Sequence, residues 1–529
     1  MRLGSLGTPP RGEQFTSLQM RVEPLEYMTS QSHRKLSPQD TILMRAQVER
    51  LHNITGGNLI ISSLLSGSDV QYLVWLCLAK HWEQMFGIHL EVQLSLACDN
   101  KPCIQRWLSR YSKPGVIFPD VHLLGTSAAK DIDDIMSAVI GGHHTTFGIE
   151  CDTLSMLSSG WSDRLDCVDR NEGRTGRTAI SCLEFVFSSE VPSWLAECVK
   201  NLNVKDSKTG IAPSDTIKQK ANTKGYLVYT GDFNSEDQGP KQSRPRFWMY
   251  GSFVGVMSMK QQEKDFEMPA WLERLGSIVA QLRLESIPIS AYLLDEADDR
   301  VQEVLGVDAK VPPSNTGDSG GGRQSKRRKL GGVGDAAATK VEQYEIDHLE
   351  VFQEAGLQWP PQFDPVFEKK VAILGGKTRA KQLLWLDMHK EPTSSLTSLI
   401  VRDVNLSKSW GKARDVVPCI CGTSIMWVRG PKTHQLTKDG IEKLAKPEVI
   451  DRLMLPEELI AVQGFGHRCQ EESKWESEEA FMDHDQLSEM AGNMMCGGVL
   501  LHLQMALVMS GALCSSIEAM MRLKATGSA

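Results

Sequence analysis

A repeated unit near the start of the chain constrains its fold most: an apolar run, a turn rich in Gly, Ser or Asp, then helical spacing. Asn58-Leu59-Ile60-Ile61-Ser62-Ser63-Leu64-Leu65 reads as a core strand ending at Ser66-Gly67-Ser68-Asp69. A helical pattern follows through Trp75, Leu76, Leu78 and Trp82. Leu90 to Ala97 is a second strand ending at Cys98-Asp99, and Ile104, Trp107 and Leu108 mark the next helix. Val116-Ile117-Phe118 ends at Asp120, and the run from Thr145 to Ile149 closes in a turn at Cys151. Strands alternating with helices predict an α/β fold, with a parallel sheet covered by helices on both faces. Ligands of such sheets collect at the carboxyl ends of the strands. Here those ends carry Gly67, Asp99, Asp120 and Cys151. A carboxylate after the second strand suits ribose hydroxyls, because it accepts two hydrogen bonds. Asp and Gly also populate such turns for backbone reasons alone.

At 529 residues the chain exceeds the size at which a single core keeps growing, so two or more domains are expected. Its twelve dispersed cysteines fit a reducing, intracellular compartment rather than a disulfide scaffold. The closest pair, Cys419-Ile420-Cys421, has no second pair or histidine spacing beside it, so no metal site is expected. A net charge of −8 gives no whole-chain attraction to nucleic acid, and any such binding requires a local basic surface. The polar opening with Pro9-Pro10 reads as a disordered leader rather than a secretory signal. Val499 to Leu513 carries His502 and Gln504, is short for a membrane span, and reads as a buried helix.

Beyond the Cys151 turn, ordered segments carry a family resemblance. Ser193-Trp194-Leu195-Ala196-Glu197-Cys198-Val199-Lys200-Asn201-Leu202 resembles the E-N-V-x-N-L segment of the cytosine carbon-5 DNA methyltransferases, with Cys198 in place of the first Asn. Gly225-Tyr226, Asn234-Ser235-Glu236-Asp237 and Gly239-Pro240-Lys241-Gln242-Ser243-Arg244-Pro245-Arg246 are similar to their G-Y … N-A-x-D-x-G-x-P-Q-x-R-x-R segment. Pro456-Glu457-Glu458 with Gln463-Gly464-Phe465 resembles P-x-E … L-Q-G-F, and Gly492-Asn493 resembles the G-N of the last motif. Cys151 with Ser155 then corresponds to the P-C-Q-x-x-S loop.

The resemblance implies a Rossmann-like methyltransferase sheet with an inserted target-recognition domain, and methyl transfer from S-adenosylmethionine to carbon 5 of cytosine. That carbon is a poor nucleophile, and a thiolate adding to carbon 6 makes it able to attack a methyl group. Cys151 is the implied nucleophile and Glu197 the partner of the ring nitrogen. Arg244 is expected to hold the base and to lower the thiol pKa, with Arg246 supporting the loops. Leu65, Gly67, Asp99, Asp120 and Asn493 are the implied cofactor-binding residues. Thr175 and Thr178 fall in what reads as a Gly/Thr loop after the cysteine. A target base inside a duplex would have to be extruded.

Two departures stand out. Only Gly67 remains of the F-x-G-x-G first motif, and Asp69 puts a carboxylate near the methionine end of the cofactor. Glu150 and Asp152 stand where a proline and a glutamine are usual, and both are expected to raise the pKa of Cys151. DNA is the implied partner. RNA, which one branch of the family modifies, and a non-catalytic nucleic-acid-binding descendant are the alternatives.

The expected organisation is a leader over 1–55, a catalytic domain over 56–260 and a helical connection over 261–305. A disordered basic linker over 306–342 carries Lys326-Arg327-Arg328-Lys329, which suits nuclear import or phosphate contacts. A target-recognition region over 343–450, the returning part of the catalytic domain over 451–515 and a tail over 516–529 complete the chain.

Overall fold

The computed structural model describes residues 23–65, 67–124, 142–156, 158, 160–255, 269–298, 301–302, 352–354, 356–358, 361–374, 378–404, 412–421, 424–437, 440–464 and 484–526. The basic linker over 306–342 and Phe465 lie outside the described residues.

Two helices, α1 (Glu23–Arg34) and α2 (Pro38–Thr55), occupy the stretch expected as the later part of a disordered leader. The correction has a local cause. Ser37 caps α2 by accepting the Asp40 N–H, Pro38 sits in its first turn, and Gly56 closes it in the left-handed region. Met44, Val48 and Leu51 recur at helical spacing and are fully buried, a narrow apolar stripe in an otherwise polar segment.

The sheet runs through β1 (Asn58–Leu64), β2 (Glu91–Cys98), β3 (Val116–Phe118), β4 (His144–Gly148), β5 (Ser193–Cys198), β6 (Tyr226–Asn234) and β7 (Pro245–Phe253). Its order is β3-β2-β1-β4-β5-β7-β6. The first five strands are parallel and β7 lies antiparallel between β5 and β6. This is the expected α/β, Rossmann-like architecture. Apolar residues on both faces of β1 and β5 reflect cover on both sides, as parallel sheets require. In the β5/β7 pair, Trp194 faces Gly251, where an added Cβ would lie 2.0 Å from the indole.

Helices α3 (Val70–Phe86), α4 (Gly173–Ser188) and α5 (Ala270–Leu282) pack on the sheet. Thr175 and Thr178 are therefore buried on a helix and not in a loop or lid. A second sheet, β8 (Ile400–Asp403), β9 (Lys412–Arg414), β10 (Met426–Thr437) and β11 (Gly440–Leu453), has the antiparallel order β11-β10-β8-β9. Its last strand carries this unit past residue 450. Several of its cations point inward: Arg402 pairs with Asp387 at 2.8 Å, Arg452 with Glu458 at 2.8 Å, and Lys432 is fully buried against Asp295.

The chain then returns through α6 (Pro456–Val462), α7 (His484–Asn493), α8 (Gly497–Met509) and α9 (Ala512–Thr526). All thirteen residues of α8 are buried, which explains its lack of a polar face. The stretch Gln486–Met509 is long and apolar enough to cross a membrane, and 94% of its most apolar window is buried in the fold. The expected tail after 515 is instead the body of α9, held by Ser516, Ile517 and Met520 in the core.

Candidate active site

The Cys151 turn follows β4 directly. The Cys151 carbonyl accepts the N–H groups of Leu154 at 3.0 Å and Ser155 at 2.7 Å. Thr153 and Thr175 then clasp this turn to the first turn of α4, each hydroxyl accepting the other's main-chain N–H at 3.2 Å. Gly173 makes room for that contact, and Gly176 for the Cys167 carbonyl beside it. A Cβ on Gly173 would lie 2.6 Å from Thr153 Oγ1, and one on Gly176 would lie 2.1 Å from the Cys167 carbonyl oxygen. Thr153, Gly173 and Gly176 carry no site signal in the sequence beyond small size.

Glu197 is paired across the sheet with Gly148, and its carbonyl accepts the Ile149 N–H at 2.8 Å. Its side chain is 10% exposed and lies 2.8 Å, Oε1 to Nε, from Arg246. The N–H is not aimed at that oxygen, so the contact is an ion pair without a hydrogen bond, and Oε1 is buried with no donor.

The two arginines make different contacts. Arg246 pairs with Glu197 and also reaches Cys419 Sγ at 3.5 Å through Nη2. Arg244 is 3% exposed and braces the loops instead. Its Nη1 donates to the carbonyls of Ile420 at 2.9 Å and Gly492 at 3.0 Å, while its main-chain N–H donates to Asn234 Oδ1 at 2.8 Å. Residues 241–243 are stitched to Val417 as well, through Val417 N–H to the Lys241 carbonyl at 2.8 Å and Ser243 N–H to the Val417 carbonyl at 2.9 Å.

Burial pushes the Cys151 thiol above its ordinary range. Arg246 is the main opposing influence, Glu197 and Asp152 push the same way as burial, and Arg244 contributes least. Of the two flanking acids, Glu150 does not figure among these charges. It accepts a long 3.5 Å hydrogen bond from Thr178 Oγ1. Asp152 is turned out to solvent and held by Arg174 at 2.8 Å.

At the other strand ends, Leu65 leaves β1 in the left-handed region with φ 54, its N–H donated to the Cys98 carbonyl at 2.9 Å. Gly67 has φ +68, and a Cβ there would lie 3.9 Å from the main-chain carbon and oxygen of Asn493. The end of α7 thus lies beside the end of β1. Asp69 adopts φ 55, a conformation that favours glycine. Its carboxylate is fully buried, accepts the Ser63 hydroxyl, and takes the Gln71 amide at 3.3 Å. The acid expected to crowd the cofactor turns into the protein.

Asp99 is buried, and burial raises its carboxyl to about 6. Its Oδ1 accepts the Lys101 N–H at 2.9 Å, which leaves Oδ2 for a ligand. Lys101 in turn reaches Glu489 on α7 at 2.6 Å. Asp120, half-buried, accepts the His122 N–H at 2.9 Å. Asp99 Oδ2 fits the ribose hydroxyls of S-adenosylmethionine, and Gly67 leaves no side chain at the end of β1. Among the described residues, no three His, Cys, Asp or Glu side chains gather as metal ligands.

No protein-family model matches the chain. Over 258 residues, 48% of its length, it is 24% identical to the DNA (cytosine-5-)-methyltransferase DMT5 of Cryptococcus neoformans, and the match spans 10% of that relative. Among solved structures it is similar to the Entamoeba histolytica methyltransferase EhMeth, at 11% identity and a TM-score of 0.38. The S. pombe Dnmt2 methyltransferase gives 12% and 0.39, and a putative DNA modification methyltransferase encoded within prophage Cp of E. coli gives 12% and 0.40. Each of these three covers 85% of this chain and is covered over 98% of its own. In sequence, then, about half of this chain is similar to a cytosine-5 methyltransferase.

Proposed function

We propose that the chain transfers a methyl group from S-adenosylmethionine to carbon 5 of cytosine in DNA, with Cys151 as the covalent nucleophile. The observation that carries this reading is the convergence on Cys151 of Arg246 and of Glu197, whose buried Oε1 has no hydrogen-bond donor. An unsatisfied buried carboxylate oxygen is costly in an apolar site and suited to a partner that arrives with the substrate.

In this reading Cys151 Sγ gives up its proton and adds to carbon 6 of the ring, while Glu197 hydrogen-bonds or protonates the ring nitrogen that gains charge. Arg246 offsets the negative charge shared by Cys151 and Glu197, and Arg244 holds the surrounding segments in register. When bound, S-adenosylmethionine supplies an electrophilic methyl group. Loss of the carbon 5 proton to a base then expels Cys151 and restores the aromatic ring. Asp99 would hold the ribose hydroxyls, Asp120 the adenine side, and Leu65, Gly67 and Asn493 the methionine side. The basic run at 326–329 supports a nuclear location.

A non-catalytic nucleic-acid-binding role is the second reading, favoured by the upward push of burial on the Cys151 thiol. Incubation with S-adenosylmethionine and DNA carrying 5-fluorocytosine separates the two. Fluorine blocks the elimination, so the enzyme is trapped covalently at Cys151. Trapping on RNA but not DNA would change the substrate. No adduct on either, from folded protein, would sink the catalytic reading.

A further inference from the structure

The thiol pair Cys419-Ile420-Cys421 is half-buried and free. The fold brings it from the inserted unit to the wall of the candidate active site. Three contacts fix it there: the Arg244 guanidinium on the Ile420 carbonyl at 2.9 Å, the Val417 stitches, and Arg246 Nη2 at 3.5 Å from Cys419 Sγ. Glu197 Oε1, buried and without a donor, lies on the Nε side of the same guanidinium. Arg246 therefore spans Glu197 on one side and Cys419 on the other.

We propose that Cys419 is a thiolate-forming modification site for soft electrophiles and that, with hydrogen peroxide as oxidant, it closes a disulfide with Cys421. One donor faces the sulfur: Arg246 supplies a full positive charge at 3.5 Å, while the Cys421 thiol sits two residues on, its S–H directed at the Cys419 carbonyl at 3.8 Å. The neighbouring Cys421 thiol and the charges of Arg246 and Arg244 outweigh burial and hold the Cys419 thiol well below its ordinary range. Cys421, the other thiol of the pair, is pushed up. One nucleophilic sulfur next to one protonated sulfur is the arrangement a resolving pair needs.

The chemistry balances without a cofactor. The Cys419 thiolate attacks one oxygen of hydrogen peroxide, the O–O bond breaks, and the departing hydroxide takes a proton to become water. Sulfur is oxidised by two electrons to a sulfenic acid. Cys421 sulfur then attacks it, the S–S bond forms, and a second water leaves. The net reaction is two thiols and one peroxide to one disulfide and two waters. The site shares Arg246 with the methyl-transfer reading but needs Cys421 and not Cys151, so loss of methyl transfer alone leaves it standing.

Limited alkylation of the folded full chain with iodoacetamide near neutral pH, followed by peptide mass spectrometry, tests it. Cys419 is expected to label at least about tenfold faster than in the unfolded chain, because more of it is thiolate, and ahead of Cys151 and Cys103. Peroxide is expected to remove two hydrogens from the peptide holding both thiols, with dithiothreitol restoring them. Cys421→Ser is expected to abolish that loss and leave a Cys419 sulfenic acid that dimedone captures. Labelling of Cys419 no faster than in the unfolded chain overturns the modification site. Over-oxidation of Cys419 with no cross-link in the native sequence overturns the disulfide.

Discussion

Thr153 and Thr175 hold each other by two reciprocal hydrogen bonds of 3.2 Å that tie the Cys151 turn to the start of α4. Replacing Thr175 with Val keeps the shape but removes the acceptor for the buried Thr153 N–H. Stability is expected to fall by about 1–3 kcal/mol in a denaturant titration. In the proposed function the turn also loosens, so trapping on 5-fluorocytosine DNA slows. Unchanged trapping by a clearly destabilised variant would separate the clasp from nucleophile placement.

Arg246→Ala leaves Glu197 buried and uncompensated. Breaking a buried pair this way costs about 3–5 kcal/mol, and the midpoint of chemical unfolding reads it. The same substitution removes the main influence opposing burial at Cys151, so alkylation of that thiol is expected to slow. Arg246→Lys should recover part of both effects.

Burial raises Asp99 from 3.8 to about 6, so the folded chain keeps a proton that the unfolded chain has released. The resulting stability is present below about pH 3.8 and is lost as the pH rises through about 6. Ligand binding should run the opposite way. A ribose held by the ionised carboxylate binds well above pH 6 and weakens below it. Calorimetric titration of S-adenosylmethionine across this range checks it, and Asp99→Asn should flatten the profile.

Gly251→Ala places a Cβ 2.0 Å from the fully buried Trp194 ring. Thermal unfolding should show a loss of at least about 1–3 kcal/mol, the cost of overpacking a core. An unchanged midpoint would mean that the β5/β7 pair yields at this point.

Glu197→Gln keeps the volume and removes the charge facing Arg246. Adduct formation on 5-fluorocytosine DNA is expected to slow by about 10²–10⁴-fold, the usual contribution of a positioned acid. Formation at the native rate would reassign the ring-nitrogen partner.

The sheet was legible because apolar runs ended in Gly and Asp turns: β1 at Gly67, β2 at Asp99 and β3 at Asp120 are where the alternation predicts. The flanking helices at 23–55 and 512–526 were not, because their buried stripes of Met44, Val48, Leu51 or Leu513, Ile517, Met520 sit among charged residues. Motif order found Cys151, Glu197 and the two arginines, but not which arginine meets which acid. That depends on Arg244 lying just before β7, where it meets Ile420, and Arg246 lying inside it, where it meets Glu197. Cys419 was visible only as half of a spaced pair, since its partner Arg246 is 173 residues away.

Arg244 joins its own strand entry to carbonyls 176 and 248 residues further along. During synthesis, β1 to β7 leave the ribosome long before Gly492 does, and until then this guanidinium lacks one of its acceptors. Contacts of such separation close late because their loops carry the largest entropic cost. The Cys151 turn is therefore made early and its surroundings last, so a growing or partly unfolded chain exposes Cys151 before Arg244 has joined the segments around it.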